Sequence, residues 1–171
     1  MIDLATRIRD VPDFPEKGIL FKDITTLLSD GPAFKQALDQ LTERVRDWGI
    51  DVVVGMESRG FIFAAPIAYL LGLGFVPVRK LGKLPSRTIS AEYALEYGTN
   101  TLEMHIDAIE RGTRALVVDD LLATGGTVGA TIYLIERLGG EVAGTAFLIE
   151  LTFLGGRRHL DGYRVATLIK Y

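Results

Sequence analysis

Two adjacent carboxylates, Asp119 and Asp120, stand just ahead of a small, hydroxyl-bearing, glycine-rich run, Ala123-Thr124-Gly125-Gly126-Thr127. Backbone N–H groups in such a turn, with the Thr124 and Thr127 hydroxyls, can hold a phosphate dianion without a lysine. A helical pattern follows directly, and a helix N-terminus adds free N–H groups and a positive dipole end. The pair of carboxylates beside the cup can accept hydrogen bonds from substrate hydroxyls. A second constellation is Glu57-Ser58-Arg59-Gly60. The planar fork of Arg59 suits phosphate oxygens; the competing reading is a surface ion pair between Arg59 and Glu57. A third is Arg79-Lys80-Leu81-Gly82-Lys83, whose three cations would attract a polyanion or simply form a solvated loop.

These groups need elements to aim them. Ala115-Leu116-Val117-Val118 is short, apolar and rich in β-branched residues, as in a strand buried on both faces. Val52-Val53-Val54-Gly55 and Gly74-Phe75-Val76-Pro77-Val78 read the same way, and each constellation follows one of these strands. In open α/β sheets ligands gather beyond the carboxyl ends of the strands. Asp30-Gly31-Pro32 opens a helix whose Phe34, Leu38, Leu41, Val45 and Trp48 share one face, and Gly49 ends it. A helix follows Gly60 and another follows Gly126; 142–149 and 163–169 are further strands. Strands alternating with helices predict an α/β fold: an open, mostly parallel twisted sheet with helices on both faces.

Other segments are less regular. Ile2 to Arg9 has the spacing of a short amphipathic helix, and 10–18, with Pro12, Pro15 and Gly18, reads as irregular. Ile19 to Ile24 reads as a short strand or extended arm. Leu102, Met104 and Ile106 alternate with Glu103, His105 and Asp107, which predicts a half-exposed strand with Glu103 and His105 on its wet side. With 86–100 it makes a hairpin flap, a form suited to a lid that excludes water.

Composition narrows the function classes. The 171 residues are 48% hydrophobic and 24% charged, with net charge −3, so wholesale nucleic-acid binding is not expected. There is no cysteine, and the two histidines lack ligand-like spacing. The longest apolar run, Phe61 to Leu73, is too short to span a bilayer, so no membrane association is expected; with no basic-then-apolar leader pattern, the expected location is cytoplasmic. Neither a P-loop lysine nor a G-x-G-x-x-G after a strand is present, which argues against nucleoside triphosphatase and dinucleotide readings.

The stretch from Ala115 to Thr127 resembles the ribose-phosphate signature of the type I phosphoribosyltransferases, and the resemblance covers nearly the whole chain. It implies a single domain over 1–171, with an N-terminal arm over 1–25 and a hood over about 80–106. It implies that Asp119 and Asp120 contact the ribose hydroxyls of phosphoribosyl pyrophosphate (PRPP). The 5-phosphate falls to Ala123, Thr124, Gly125, Gly126 and Thr127. Glu57, Ser58 and Arg59 match the family's pyrophosphate loop, whose Glu57–Ser58 peptide can be cis, and Arg79, Lys80 and Lys83 match positions near the pyrophosphate. The run Phe14-Pro15 through Lys22-Asp23-Ile24 is similar to the arm of adenine phosphoribosyltransferases, which assigns the purine to Leu20 and Phe21, with Arg59 and Leu121 lining the pocket. Lys22 stands where relatives often carry arginine. Ala94-Leu95-Glu96-Tyr97-Gly98 resembles the hood tip, which makes Glu96 the carboxylate expected to handle the base N7 proton. Relatives that use 6-oxopurines carry an aspartate at the position of Ala123, so alanine there points to adenine. The implied reaction is adenine plus PRPP giving AMP and pyrophosphate, with Mg²⁺ held mainly by substrate and water and no protein metal ligand assigned. The implied assembly is a homodimer. The alternatives are a phosphoribosyltransferase for another purine such as xanthine, or a non-catalytic PRPP-sensing regulator.

Overall fold

A computed structural model describes the backbone of residues 1–94 and 99–171. They form two compact units, Met1–Gln40 and Leu41–Tyr171.

In the first unit a 3₁₀ turn, Leu4–Arg7, precedes two paired strands, β1 (Arg9–Pro12) and β2 (Leu20–Asp23). The amphipathic spacing over 2–9 therefore yields only this turn, capped where Asp3 accepts the N–H of Ala5 at 3.1 Å. The strand at Arg9–Pro12 replaces the expected irregular segment. Its sequence has no apolar alternation; the antiparallel ladder and two ion pairs define it, Arg9–Asp23 at 2.5 Å and Lys22–Asp10 at 2.6 Å. The Thr25 N–H, then the Arg9 guanidinium, hold the Asp23 carboxyl down at about 2. Helix α1 (Thr25–Ser29) follows, and α2 (Gly31–Val45) starts where Asp30 accepts the Ala33 N–H.

The second unit is built on a seven-stranded sheet. Its strands are β3 (Val52–Met56), β4 (Gly74–Lys80), β5 (Thr88–Ala94), β6 (Thr99–His105), β7 (Arg114–Leu122), β8 (Glu141–Glu150) and β9 (Val165–Lys170). The order is β5-β6-β4-β3-β7-β8-β9. The five strands from β4 to β9 pair in parallel, and the β5–β6 hairpin joins antiparallel at the β4 edge. Helix α3 (Gly60–Leu71) links β3 to β4, and α4 (Gly126–Arg137) links β7 to β8.

The two helices cover opposite faces. Val54 and Met56 pack in one buried cluster with Val117, Phe147 and the α4 residues Val128 and Ile135. The intervening Gly55 faces the other way, where an added Cβ would lie 2.6 Å from Ala64 of α3. Successive strand residues alternate between faces, so one strand serves both cores. Burying each such Val, Leu, Ile or Phe contributes about 1.5–3 kcal/mol. The sequence expectation for β6 is corrected here: Glu103 is only 3% exposed, between Leu102 and Met104, and the Nδ1 of His105 is buried. The turn after β4 covers this side, with the Lys83 and Leu84 N–H groups and the Thr88 hydroxyl against the Glu103 carboxylate.

Candidate active site

The chain turns to opposite sides of the sheet after β3 and after β7, so the carboxyl ends of these two neighbours form the switch point where α/β sheets open a crevice. The Glu57-to-Gly60 loop leaves β3 there, and the acidic pair and glycine turn leave β7. Gly60 is what lets the two approach: a Cβ on it would lie 2.8 Å from Asp119 Oδ1 and 3.1 Å from the Val118 carbonyl. The peptide between Glu57 and Ser58 is cis.

Strand β7 runs further than the apolar run suggests, through Leu122, so Asp119 and Asp120 are strand residues rather than loop residues. Their surroundings differ, although both line the crevice. Asp120 is 4% exposed and meets Arg59 Nε at 2.7 Å, while Asp119 Oδ1 accepts the Asp120 N–H at 2.9 Å. Arg59 thus pairs with Asp120, not with Glu57. Asp119 retains some accessible surface but is densely enclosed. Burial, and then the Asp120 carboxylate beside it, push its carboxyl well above the usual range.

The glycine turn wraps a cavity of about 60 Å³ reached by Thr124, Gly125, Gly126 and Thr127. Gly125 sits at φ 88° as the residue before α4. The first N–H groups of a helix have no partner within it, so those of Gly126 and Thr127 are available to the cup. The turn is backed by a 3₁₀ segment, Gly156–Leu160. Contact there is close enough that a Cβ on Gly156 would lie 2.2 Å from the Ala123 carbonyl. That segment is in turn tied to the end of β8, where Glu150 takes the Arg157 fork at 3.1 and 2.5 Å. The Arg157 guanidinium holds the Glu150 carboxyl below its usual range against the opposing effect of burial. No sequence motif joins Glu150 to Arg157; the pair is formed by the fold.

At the other end of the crevice, Arg79 and Lys80 extend β4 beyond its apolar run. Arg79 donates to both oxygens of Glu57, at 3.2 and 3.0 Å, and Glu57 also accepts the Lys80 N–H at 3.0 Å. The Arg79 hydrogen bonds keep the Glu57 carboxyl below the ordinary range although burial opposes this.

A cavity of about 360 Å³ joins these parts: Glu57, Ser58, Arg59, Lys80, Asp119, Asp120, Leu121, Ala123 and Thr127 all line it, as does Tyr93, which sequence reading passed over. Arg79 and Lys83 are not among its lining residues. Leu20 and Phe21 lie on β2 of the first unit, where the Phe21 ring meets Phe14 edge-on at 5.2 Å. Glu96 lies outside the described residues.

The phosphoribosyl transferase domain model matches residues 25–164. The adenine phosphoribosyltransferase of Acetivibrio thermocellus is 57% identical over 171 residues, covering 99% of this chain and 100% of the relative. The chain belongs to the adenine phosphoribosyltransferase family. Solved structures of adenine phosphoribosyltransferases share the fold. That from Thermoanaerobacter pseudethanolicus superposes with a TM-score of 0.96 at 54% identity, covering 99% of this chain and 98% of its own. That from Saccharomyces cerevisiae, complexed with an imino-altritol bisphosphate and adenine, superposes with a TM-score of 0.91 at 40% identity, covering 97% and 96%. The family's α/β architecture is the one described above, so the acidic pair and glycine turn occupy its switch point.

Proposed function

We propose that the chain transfers the 5-phosphoribosyl group of PRPP to adenine, giving AMP and pyrophosphate in purine salvage. The observation that carries this is the switch-point cavity, where a phosphate-sized cup, two carboxylates and an arginine meet within one crevice. It is supported by the family membership above.

In this reading the cup formed by Ala123, Thr124, Gly125, Gly126 and Thr127 holds the 5-phosphate and so fixes C1 of the ribose by remote binding energy. Asp119 and Asp120 accept the ribose hydroxyls. As the bond from C1 to the pyrophosphate oxygen breaks, the electron pair leaves with pyrophosphate and the ribose gains positive charge, which the two aspartates favour electrostatically. Ser58, Arg59, Lys80 and Lys83 receive the departing pyrophosphate, with Glu57 and Arg79 bracing that end. The purine N9 bonds to C1, and Glu96 takes the N7 proton. Leu20 and Phe21 cover the purine by the family resemblance, Phe21 through offset stacking, and Arg59 and Leu121 line its pocket.

Mg²⁺ belongs to the same reading. Among the described residues no three His, Asp or Glu side chains gather as a cage, while Asp119 and Asp120 present hard oxygens at the crevice. That donor set fits an ion that carries most of its ligands as substrate oxygens and water, with the two aspartates facing it. When bound it would neutralise charge building on the pyrophosphate.

No helix among the described residues is long and apolar enough to cross a membrane. Under this reading the polyanionic substrate places the reaction in the cytoplasm. The arm over 1–25 and the hood over about 80–106 are parts of one phosphoribosyltransferase domain. A homodimer is included, supported by the apolar outer side of α3, where Tyr69 and Leu70 stay 83% and 43% exposed. Sedimentation at a monomer's mass would remove that element.

The test is pyrophosphate release from PRPP with each of four purines. Release with adenine alone is expected. Release with hypoxanthine, guanine or xanthine would overturn the base assignment, and none with any purine would overturn the transferase itself. In the same assay Glu96→Gln should slow turnover with adenine by about tenfold or more; an unchanged pH profile would remove Glu96 from the proton step.

A further inference from the structure

Glu103 is a buried carboxylate that the reaction above leaves without a task. It is 3% exposed in the middle of β6. Its Oε1 accepts the N–H groups of Lys83 and Leu84 at 2.9 and 2.8 Å, and its Oε2 accepts the Thr88 hydroxyl at 3.3 Å. Burial opposes its charge, but the N–H groups of Leu84, Gly82 and Lys83 outweigh burial and hold the carboxyl below its ordinary range. An ionised carboxylate met by successive backbone N–H groups defines the path of that backbone, since leaving either side unsatisfied is costly.

That backbone is the turn carrying Lys83. The same turn is fastened at two further points. Leu81 donates to the Thr101 carbonyl at 3.1 Å, and the Lys83 carbonyl accepts Arg79 Nη1 at 3.0 Å. Arg79 also donates from Nε and Nη2 to Glu57, which accepts the Lys80 N–H as well. The chain of contacts runs from Glu103 through the turn to Arg79, then to Glu57 and Lys80 at the wall of the cavity.

We propose that Glu103 is a positioning residue for the pyrophosphate end of the site: it folds the turn after β4 so that Arg79 is locked to Glu57 and Lys80 and Lys83 are presented to the pyrophosphate. This rests on the reading that Lys80 and Lys83 take the pyrophosphate. The phosphate cup is fastened separately, by Gly156 and the Glu150–Arg157 pair. Glu103 therefore acts on one end of the site and not on the other.

The experiment measures binding of pyrophosphate and of AMP separately, by calorimetry, to the full chain. Glu103→Gln keeps the shape but removes the charge: the amide oxygen meets the Lys83 and Leu84 N–H groups only as a neutral acceptor, and the Thr88 hydroxyl must turn to accept the amide NH₂. The pyrophosphate Kd should rise about tenfold, as for loss of one charge-assisted bond, with the AMP Kd changed less than about twofold. Thr88→Val removes only the hydroxyl donor and should shift the pyrophosphate Kd in the same direction by a smaller factor; it decides the matter if Glu103→Gln fails to fold. Equal losses for AMP and pyrophosphate, or no loss for pyrophosphate, would overturn the positioning role. Lys80→Ala and Lys83→Ala distinguish the underlying reading: if both leave the pyrophosphate Kd unchanged, the pyrophosphate assignment itself falls, and this role with it.

Discussion

Gly125→Val is expected to abolish measurable PRPP binding in a chain that still folds. Gly125 holds φ at 88°, and a Cβ there would stand 2.7 Å from the Gly156 carbonyl and 2.8 Å from His159. The backbone carbonyl cannot rotate away, so the turn itself must shift and its N–H groups leave the phosphate. Hydrogen bonds to a charged group are worth about 1.5–3 kcal/mol each, so losing two weakens binding by roughly 10²–10⁴-fold. The strain of a side chain at positive φ costs about 1–2 kcal/mol, which lowers the melting temperature by roughly 2–4 °C per kcal/mol in a chain of this size. Gly162→Val is the control: its φ is 87° with nothing within 4 Å of the added Cβ. It carries a similar backbone strain and should bind PRPP normally. Calorimetric titration with PRPP reads both; unchanged affinity in Gly125→Val would remove the cup.

Asp119→Asn is expected to lose activity and gain stability. The Asp119 carboxyl is raised by burial first and by Asp120 second. From the ordinary aspartate value of 3.8 up to that raised value, the folded chain keeps a proton that the unfolded chain has released. The native state then binds more protons, so stability falls as pH climbs through that window. Asparagine removes the titration. Its Oδ1 can still accept the Asp120 N–H, and its NH₂ can donate toward the Asp120 carboxylate. In the absence of PRPP and Mg²⁺, the variant should lose this part of the pH slope and melt higher at neutral pH. A lower melting temperature with the slope intact would contradict this account. Turnover should fall about 10- to 100-fold, because a neutral amide accepts the ribose hydroxyl less strongly and no longer favours positive charge at C1.

A site that is held against its own stability is also the hardest to read from sequence. The parallel strands were legible because β-branched apolar runs such as 52–54 and 115–118 have few other uses. The phosphate cup was legible because small residues and glycines follow one of them directly. The pairing of charges was not. Arg59 is two residues from Glu57 in sequence, yet it reaches Asp120 across the switch point while Glu57 turns to Arg79 from the next strand. Glu103 was misplaced for a different reason. Alternation along β6 separates its two faces, but only the path of the turn through Lys83 and Leu84 shows that the polar one is covered. Strand β1 was missed because Arg-Asp-Val-Pro has no periodic signal; its order comes from its partner strand. Sequence pattern reports burial by the main sheet, whereas these features depend on contacts between distant segments.

The central claim is that the crevice between the ends of β3 and β7 holds the ribose phosphate. A larger groove of about 600 Å³ lies alongside, between β5 and α4, lined by Tyr93, Tyr133 and His159. A crystal structure with AMP separates the two. The account predicts the 5-phosphate within hydrogen-bond distance of the backbone N–H groups of residues 124–127, with the ribose hydroxyls on Asp119 and Asp120. AMP seated in the groove beside Tyr133, with the cup empty of phosphate, would contradict it.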